Sequence, residues 1–170
     1  MGSGKTAIGN AVAKNLDVPF LDSDHEITQA ANMSIAEIFE RDGEEFFREK
    51  ETQVIERLLK SAPGILSTGG GAWLRDTNQD LIRELGVSLW LRADLDLLWS
   101  RVRHKDTRPL LRVPDPHARL SELYQERTPI YERAEIAVDA KAEYSIDDMA
   151  KAVIDRLLKR SDLLVKVEIV

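Results

Sequence analysis

The chain has 170 residues, of which 43% are hydrophobic, so its composition fits one globular domain with a sizeable core and excludes a disordered protein. Its formal net charge of −6 at pH 7 argues against a general nucleic-acid-binding protein, because such a protein needs a basic face. The lack of cysteine excludes disulfides, thiolate metal ligands and cysteine nucleophiles. No apolar run approaches the roughly 18 residues of a membrane span, and the first residues do not form a secretory signal, so we expect a cytoplasmic protein without membrane contacts.

The chain begins with a glycine-rich loop, Gly2-Ser3-Gly4-Lys5-Thr6, and the pattern after it predicts a helix. Glycine lets the backbone turn tightly, so the N–H groups of the loop and the positive end of the helix can face one anion. In such a loop Lys5 reaches the β- and γ-phosphates of a nucleotide and the Thr6 hydroxyl holds Mg²⁺. The full pattern has one more glycine ahead of Gly4, at a position before Met1, so a solvated Gly/Ser loop stays open as an alternative.

A short apolar run, Val18–Leu21, follows the first helix and predicts a buried strand. It leads into Asp22 and Asp24, which we expect to face one site because residues two apart on a strand point the same way. In open α/β sheets, ligands lie beyond the carboxyl ends of the strands. The two carboxylates therefore predict a binding site, the alternative being that one of them only caps the next helix.

Two helices are predicted next, separated by Asp42-Gly43. The first begins at the capping box Ser34–Glu37, and the second covers Glu44–Lys60. Arg48 and Glu51 are three residues apart on one face of the second helix, so the carboxylate can hold the guanidinium in one orientation. If the pair is exposed, it contributes well under about 1 kcal/mol and has no further role.

A second buried strand, predicted over Pro63–Thr68, leads into the triplet Gly69-Gly70-Gly71. Three residues without side chains at the end of a strand allow a ligand to lie directly on the backbone and to be bound by N–H groups. The triplet therefore predicts a ligand-binding segment, with a flexible turn as the alternative.

The second half of the chain alternates in the same way, with helices predicted over 78–85, from Asp94, over 118–133 and from Ser145, and strands over 87–91 and 136–139. This alternation predicts an α/β three-layer fold with a mainly parallel sheet. The last residues, 161–170, include an alternating run with the pattern of a strand.

A basic, turn-rich segment interrupts this second half, and its cations are Arg101, Arg103, His104, Lys105, Arg108 and Arg112. In an acidic protein such a segment is a local positive field, and with its prolines it predicts a lid, over about residues 103–116, that closes on phosphates. His25, His104 and His117 have no partners at metal-ligand spacing, so we interpret them as solvated or packing residues.

Six motifs, in this order and spacing, resemble the shikimate kinase family, in the nucleoside monophosphate kinase branch of P-loop proteins. They are Gly2–Thr6, Asp22–Asp24, Phe47–Glu51, Gly69–Gly71, Arg108–Leu111 and Glu126–Tyr131. The resemblance covers residues 1–160, as one domain that includes the lid, and leaves 161–170 as a tail of unassigned role. It implies a five-stranded sheet in the order 2-3-1-4-5, whose central first strand is missing from this chain. Either the numbered chain begins inside a longer protein or the tail fills that place.

The resemblance implies ATP-dependent phosphorylation of shikimate to shikimate 3-phosphate, a step of aromatic amino acid (chorismate) biosynthesis, by a monomer that uses Mg²⁺. Asp24 would bind the shikimate hydroxyls and take the proton from the attacking one, while Asp22 would support Mg²⁺ through water. Arg48 and Arg127 would bind the substrate carboxylate, and the triplet Gly69–Gly71 would bind the ring.

The resemblance also implies that the lid arginine, Arg108, reaches the transferring phosphate and that Arg101 stacks on adenine. Lys5, Mg²⁺ and Arg108 would then supply the positive charge that phosphoryl transfer requires. Two alternatives stay open. The chain is a kinase for another small hydroxylated acid such as gluconate, or it is an inactive nucleotide-binding module because the loop pattern is incomplete.

Overall fold

The computed structural model describes residues 2–61, 63–104 and 109–160. Its α-helices are α1 (Lys5–Leu16), α2 (Ser23–Ala31), α3 (Ile35–Ser61), α4 (Asp76–Leu85), α5 (Leu95–Val102), α6 (Pro116–Tyr131) and α7 (Ile146–Leu157). Its strands are β1 (Phe20–Asp22), β2 (Ile65–Ser67), β3 (Leu89–Arg92) and β4 (Ile136–Asp139), and short 3₁₀ turns cover Ala72–Leu74 and Pro109–Leu111. Within these ranges no helix is both long and apolar enough to cross a membrane.

The strands pair in parallel, as the alternating pattern predicts. β1 pairs with β2, so that Asp22 lies opposite Ser67, and β3 pairs with β4, so that Arg92 lies opposite Asp139. The expected order 2-3-1-4-5 counts the missing strand as strand 1, so β1–β2 is its pair 2-3 and β3–β4 is its pair 4-5. Among the described residues the two pairs form two separate sheets. The tail 161–170, considered above as a substitute for the central strand, lies outside the described residues.

The main core lies between the second sheet and two helices. Ile8 and Val12 of α1 pack with Val138 of β4 and with Met149 and Val153 of α7. A second cluster joins α3, the first 3₁₀ turn and α4, and a third joins α2 to α3. The helices thus hold the strands so that the carboxyl ends of β1 and β2, and the residues after them, face one cavity.

The predicted helix boundaries are mostly confirmed, with small shifts. The expected break at Gly43 appears as a non-helical residue (φ 86°, ψ 166°) within α3. The capping box at Ser34 is formed, because its amide donates to the Glu37 carboxylate and its hydroxyl accepts from the Glu37 amide. Helix α6 begins two residues before the predicted position, because the Asp115 side chain caps it through the Ala118 amide.

Candidate active site

One cavity of about 660 Å³ is lined by every predicted site residue that the structure describes. These residues are Gly2, Ser3, Gly4, Lys5, Thr6, Asp22, Asp24, Arg48, Gly69, Gly70, Gly71, Arg101 and Arg127. They come from the loop before α1 and its first turn, from the end of β1 and the first turn of α2, from the residues after β2, and from α3, α5 and α6. The remaining predicted residue, Arg108, lies outside the described residues, as do residues 105–107 of the predicted lid.

The glycine-rich loop has the backbone that the sequence pattern requires. Gly4 is the N-cap of α1 in the left-handed region (φ 87°), and no side chain caps the helix there. Gly2 is also left-handed (φ 77°), and a Cβ on it would lie 2.7 Å from Cγ1 of Val102. The start of α1 therefore presents N–H groups and the positive end of a helix to the cavity, which suits an anion.

Asp22 caps the next helix, which the sequence left as one alternative, and it also lines the cavity. Its Oδ1 accepts hydrogen bonds from the amides of Asp24 (3.1 Å) and His25 (3.2 Å), so it caps α2. Its Oδ2 accepts a hydrogen bond from Oγ1 of Thr6 at 3.4 Å, which joins it to the glycine-rich loop, Gly2–Thr6, where we expect phosphates to bind.

The position of Asp24 differs from the prediction. Asp24 lies in the first turn of α2 rather than on the strand, because α2 begins directly after Asp22. The two carboxylates line one cavity through the strand-to-helix turn, not through strand alternation.

Thr6 and Asp22 supply one hydroxyl and one carboxylate, which are the hard oxygen ligands that Mg²⁺ prefers. Among the described residues no group of three or more His, Cys, Asp or Glu side chains is arranged to hold a metal ion. A site with few protein ligands fits Mg²⁺, which keeps water and nucleotide phosphates among its ligands. The donor set therefore fits a magnesium ion that accompanies a nucleotide.

Asp24 is half-buried and lines the cavity. Burial and the neighbouring charge of Asp22 raise the pKa of the Asp24 carboxyl, while Lys5 and Arg48 lower it. A Cβ on Gly69 would lie 2.8 Å from Oδ1 of Asp24, so a larger residue at position 69 would displace this carboxylate. A half-buried carboxylate with a raised pKa is a suitable proton acceptor.

Arg48 is held by two carboxylates of the same helix. Its Nη1 donates to Glu51 at 2.9 Å and its Nη2 donates to Glu44 at 3.1 Å. The Glu51 side chain is only 1% exposed, against 67% for Glu44, so the interpretation of Arg48 and Glu51 as an exposed pair is wrong. The guanidinium also lies against Gly71, where a Cβ would be 2.6 Å from Nη1 and Nη2.

Glu51 completes the support of this arginine from inside the protein. Burial raises the pKa of the Glu51 carboxyl, and the hydrogen bond and charge of Arg48 oppose this rise. Its second oxygen, Oε1, is buried and has no hydrogen-bond partner among the described residues. Glu51 therefore acts on the cavity mainly by fixing the orientation of Arg48.

The glycine triplet turns its carbonyls into the protein. The Gly69 and Gly71 carbonyls accept from the amides of Ala72 and Leu74, each at 3.1 Å. The amides of the three glycines donate to no other described residue. Since the triplet lines the cavity, its N–H groups are available to a ligand there.

Comparison with known proteins identifies the family. The family model for shikimate kinase matches residues 1–158. The chain belongs to the shikimate kinase family. It is 60% identical to a shikimate kinase of Ruegeria pomeroyi, over 96% of this chain and 84% of that protein. A shikimate kinase of Cereibacter sphaeroides is 57% identical, over 96% of this chain and 82% of that protein.

The solved structures agree with this assignment. A shikimate kinase from Acinetobacter baumannii in complex with shikimate matches with a TM-score of 0.87 and 33% identity, over 95% of this chain and 90% of that chain. A gluconokinase from Sinorhizobium meliloti matches with a TM-score of 0.59 and 18% identity, which shows a shared fold alone. The chain is thus a kinase enzyme, and its reaction is that of the shikimate kinase family, phosphorylation of shikimate by ATP.

Sequence reasoning missed several residues that line the cavity of this shikimate kinase family member. Tyr144, Ser145, Ile146 and Met149 close it from the start of α7, and Leu110 closes it from the lid side. Ser145 was predicted as a helix cap, and its capping box with Asp148 is formed. Only the packing of α7 against α1 shows that this helix end reaches the phosphate loop, so no local signal in the sequence revealed it.

Of the three histidines, His117 packs edge-on against Trp99, with ring centroids 5.0 Å apart. This agrees with its interpretation as a packing residue. His25 is exposed, although it follows Asp24 directly, and contributes its amide to the cap formed by Asp22.

Proposed function

We propose that the cavity aligns a hydroxyl of shikimate with the γ-phosphoryl group of ATP, with the phosphates at the α1 loop and shikimate at the other end. One observation carries this assignment. Asp24, Arg48, Arg127 and the triplet Gly69–Gly71 come from four different elements and line the same cavity as the phosphate loop. A small acid with several hydroxyls needs guanidinium groups for its carboxylate and hydrogen-bonding groups for its hydroxyls.

At the phosphate end, the amides of Gly2–Thr6 and the start of α1 bind the phosphates, and Lys5 lies where it contributes positive charge to them. Thr6 would hold Mg²⁺ directly, and Asp22 would support it through water. The ion supplies charge neutralisation on the β- and γ-phosphates when it is bound with ATP.

At the acceptor end, Asp24 hydrogen-bonds the shikimate hydroxyls and accepts the proton of the one that attacks. Its raised pKa, due first to burial, increases its affinity for that proton. Arg48 and Arg127 bind the carboxylate, and the amides of Gly69–Gly71 bind the ring substituents. These contacts fix the attacking oxygen in line with the phosphoryl group, which is where most of the catalysis in phosphoryl transfer arises.

Two further arginines complete the proposal. Arg101 lines the cavity and donates from Nη1 to the Ser3 carbonyl at 3.4 Å, so it lies next to the phosphate loop, where we assign it to the adenine. The resemblance assigns Arg108 to the transferring phosphate. We also propose that the protein is cytoplasmic and works as a monomer. Sedimentation velocity of the full chain tests the oligomeric state.

A coupled ADP-release assay tests the function. The full chain is given Mg-ATP with shikimate, with gluconate or with no acceptor, in parallel. We expect ADP release that depends on shikimate, with gluconate at the level of the no-acceptor control. Equal release with gluconate would contradict the acceptor assignment, and no release with any acceptor from folded protein would contradict the proposed catalytic function of this chain.

A further inference from the structure

Tyr131, at the end of α6, lies directly behind the glycine triplet. Its hydroxyl donates a hydrogen bond of 2.6 Å to the Gly70 carbonyl. Gly70 lines the cavity, but Tyr131 does not. The tyrosine therefore acts on the triplet from the protein side and is placed to control its position without contacting a ligand.

The bond to Gly70 differs from the other bonds that hold this segment. The carbonyls of residues 69 and 71–73 accept from residues 72–79, so the segment holds them by itself. Their donors are the amides of Ala72 and Leu74 and the side-chain amides of Asn78 and Gln79. Of these five successive carbonyls, that of Gly70 alone is bound by a described residue of α6. Tyr131 thus ties the triplet to another element.

The same hydroxyl interacts with Arg127, which precedes Tyr131 by one helical turn. A Cβ on Gly70 would lie 3.6 Å from the Tyr131 hydroxyl and 4.0 Å from Nη1 of Arg127, so both groups face this glycine. Burial raises the pKa of the Tyr131 hydroxyl, and the charge and hydrogen bond of Arg127 oppose that rise. The hydroxyl therefore binds the Gly70 carbonyl and lies beside the Arg127 guanidinium, two groups that the proposed function assigns to shikimate.

The ring of Tyr131 packs against apolar and aromatic side chains, which limit its movement. It packs at the edge of the cluster that contains Ile55 and Trp73, and its centroid is 6.1 Å from that of Trp90. Nε1 of Trp73 donates to the Ile130 carbonyl at 3.0 Å, next to Tyr131 in the chain. The segment that carries the triplet is thus joined to α6 at two successive residues.

We infer that Tyr131 is a positioning residue for the acceptor, because its hydroxyl sets the spacing between the amides of the glycine triplet and the Arg127 guanidinium. The inference rests on the proposed function, in which these two groups bind the ring and the carboxylate of shikimate. Without the hydroxyl, the Gly70 carbonyl loses its partner and Arg127 loses a polar neighbour. Shikimate binding then weakens, while the phosphate loop is unaffected.

Steady-state kinetics of Tyr131→Phe test this inference, since the change removes one oxygen and keeps the ring. We expect the KM for shikimate to rise about tenfold, which is the effect of about one lost hydrogen bond. We expect kcat to stay within about threefold and the KM for ATP to be unchanged, because neither depends on the spacing. Tyr124→Phe is the matched control, since Tyr124 lies on the same helix but, unlike Tyr131, makes no hydrogen bond to the glycine triplet, and it should match the parent.

A double-mutant cycle with Arg127→Lys separates positioning from general support of the fold. If Tyr131 acts through Arg127, the two increases in shikimate KM combine to less than their product. Trp73→Phe removes the neighbouring hydrogen bond to the Ile130 carbonyl. We expect this variant to have a lower Tm and a shikimate KM close to that of the parent.

Two results of the variant would overturn the inference. One is a shikimate KM for Tyr131→Phe equal to that of the parent. The other is a parallel rise in both KM values together with a lower Tm, which would make Tyr131 a structural residue only. A parent enzyme without shikimate-dependent ADP release would contradict the proposed function itself, and that failure is visible before any variant is made.

Discussion

The two ends of the cavity are built in different ways. The phosphate end is one continuous stretch, Gly2–Thr6, whose left-handed glycines and helix start create the anion site from local backbone geometry. The acceptor end is assembled from α2, α3, α6 and the segment after β2, and its groups are held by side chains behind them, such as the buried Glu51 and the half-buried Tyr131. A local site depends on a few backbone angles, whereas an assembled site depends on packing at a distance from the ligand.

This difference predicts distinct responses to mutation. Changes in the loop should alter ATP binding alone, because its geometry is set within a few residues. Changes in the supports of the acceptor end should alter shikimate binding, even where the changed residue does not touch the ligand. Asp24 lies between the two ends, and its replacement should have the largest effect on turnover.

For Asp24→Asn we expect turnover to fall by about 10²- to 10⁴-fold, because the proton acceptor is lost. The variant should also be more stable than the parent at neutral pH. The folded pKa of Asp24 is raised, mainly by burial, so the ionised carboxylate destabilises the folded state above that pKa. Kinetics and thermal unfolding against pH measure both effects.

The gain in Tm for Asp24→Asn should disappear as the pH falls below the ordinary aspartate value of 3.8, where the parent carboxyl is neutral in both folded and unfolded states. A variant that phosphorylates shikimate at the parental rate would contradict the role of Asp24. A variant that is less stable than the parent at neutral pH would contradict the effect of burial.

Glu51→Gln tests the buried support of Arg48. Burial raises the pKa of Glu51 despite the charge of Arg48, so the ionised carboxylate adds no net stability to the folded state at neutral pH. We therefore expect Glu51→Gln to leave the free energy of unfolding close to that of the parent. The amide holds the Arg48 guanidinium less firmly than the carboxylate does, so the shikimate KM should rise more than tenfold, with the KM for ATP unchanged. Urea unfolding and steady-state kinetics provide these quantities.

Glu44→Gln is the matched control, since Glu44 binds the same guanidinium from an exposed position. An exposed pair contributes about 0 to 1 kcal/mol, so the variant should resemble the parent in stability and in both KM values. Equal effects of the two substitutions would show that burial does not distinguish these supports.

A pair of glycine substitutions should separate the two ends of the cavity. Gly4→Ala forces a side chain into the left-handed region at a cost of about 1 to 2 kcal/mol, and it should raise the KM for ATP but not that for shikimate. Gly71→Ala places a Cβ 2.6 Å from the Arg48 guanidinium, and it should raise the KM for shikimate about tenfold but not that for ATP.

Gly70→Ala is the control within the triplet, because its Cβ would meet nothing closer than the Tyr131 hydroxyl at 3.6 Å. It should change the shikimate KM less than Gly71→Ala does. The reverse order would mean that contact with Arg48 is not what requires glycine at position 71.

Most of the architecture could be predicted from the sequence because its signals are local. Helical periodicity, the capping boxes at Ser34 and Ser145 and the short apolar runs correctly predicted the parallel α/β alternation. The errors have physical reasons. Asp24 was placed on a strand because periodicity does not show where a strand turns into a helix. Whether Arg48 and Glu51 form an exposed pair was left open because spacing along a helix does not report burial.

What the sequence by itself determined is the backbone pattern of the glycine-rich loop and part of the set of residues that line the cavity, since motifs specify residue types and local backbone conformation. Tertiary structure decided which groups support them, as for Tyr131 behind Gly70 and Glu51 beneath Arg48. The reason is that burial and contacts between distant residues depend on how helices and strands pack. The Tyr131 hydroxyl is 61 residues from Gly70 in the chain, and it binds the Gly70 carbonyl only because α6 packs against the segment after β2.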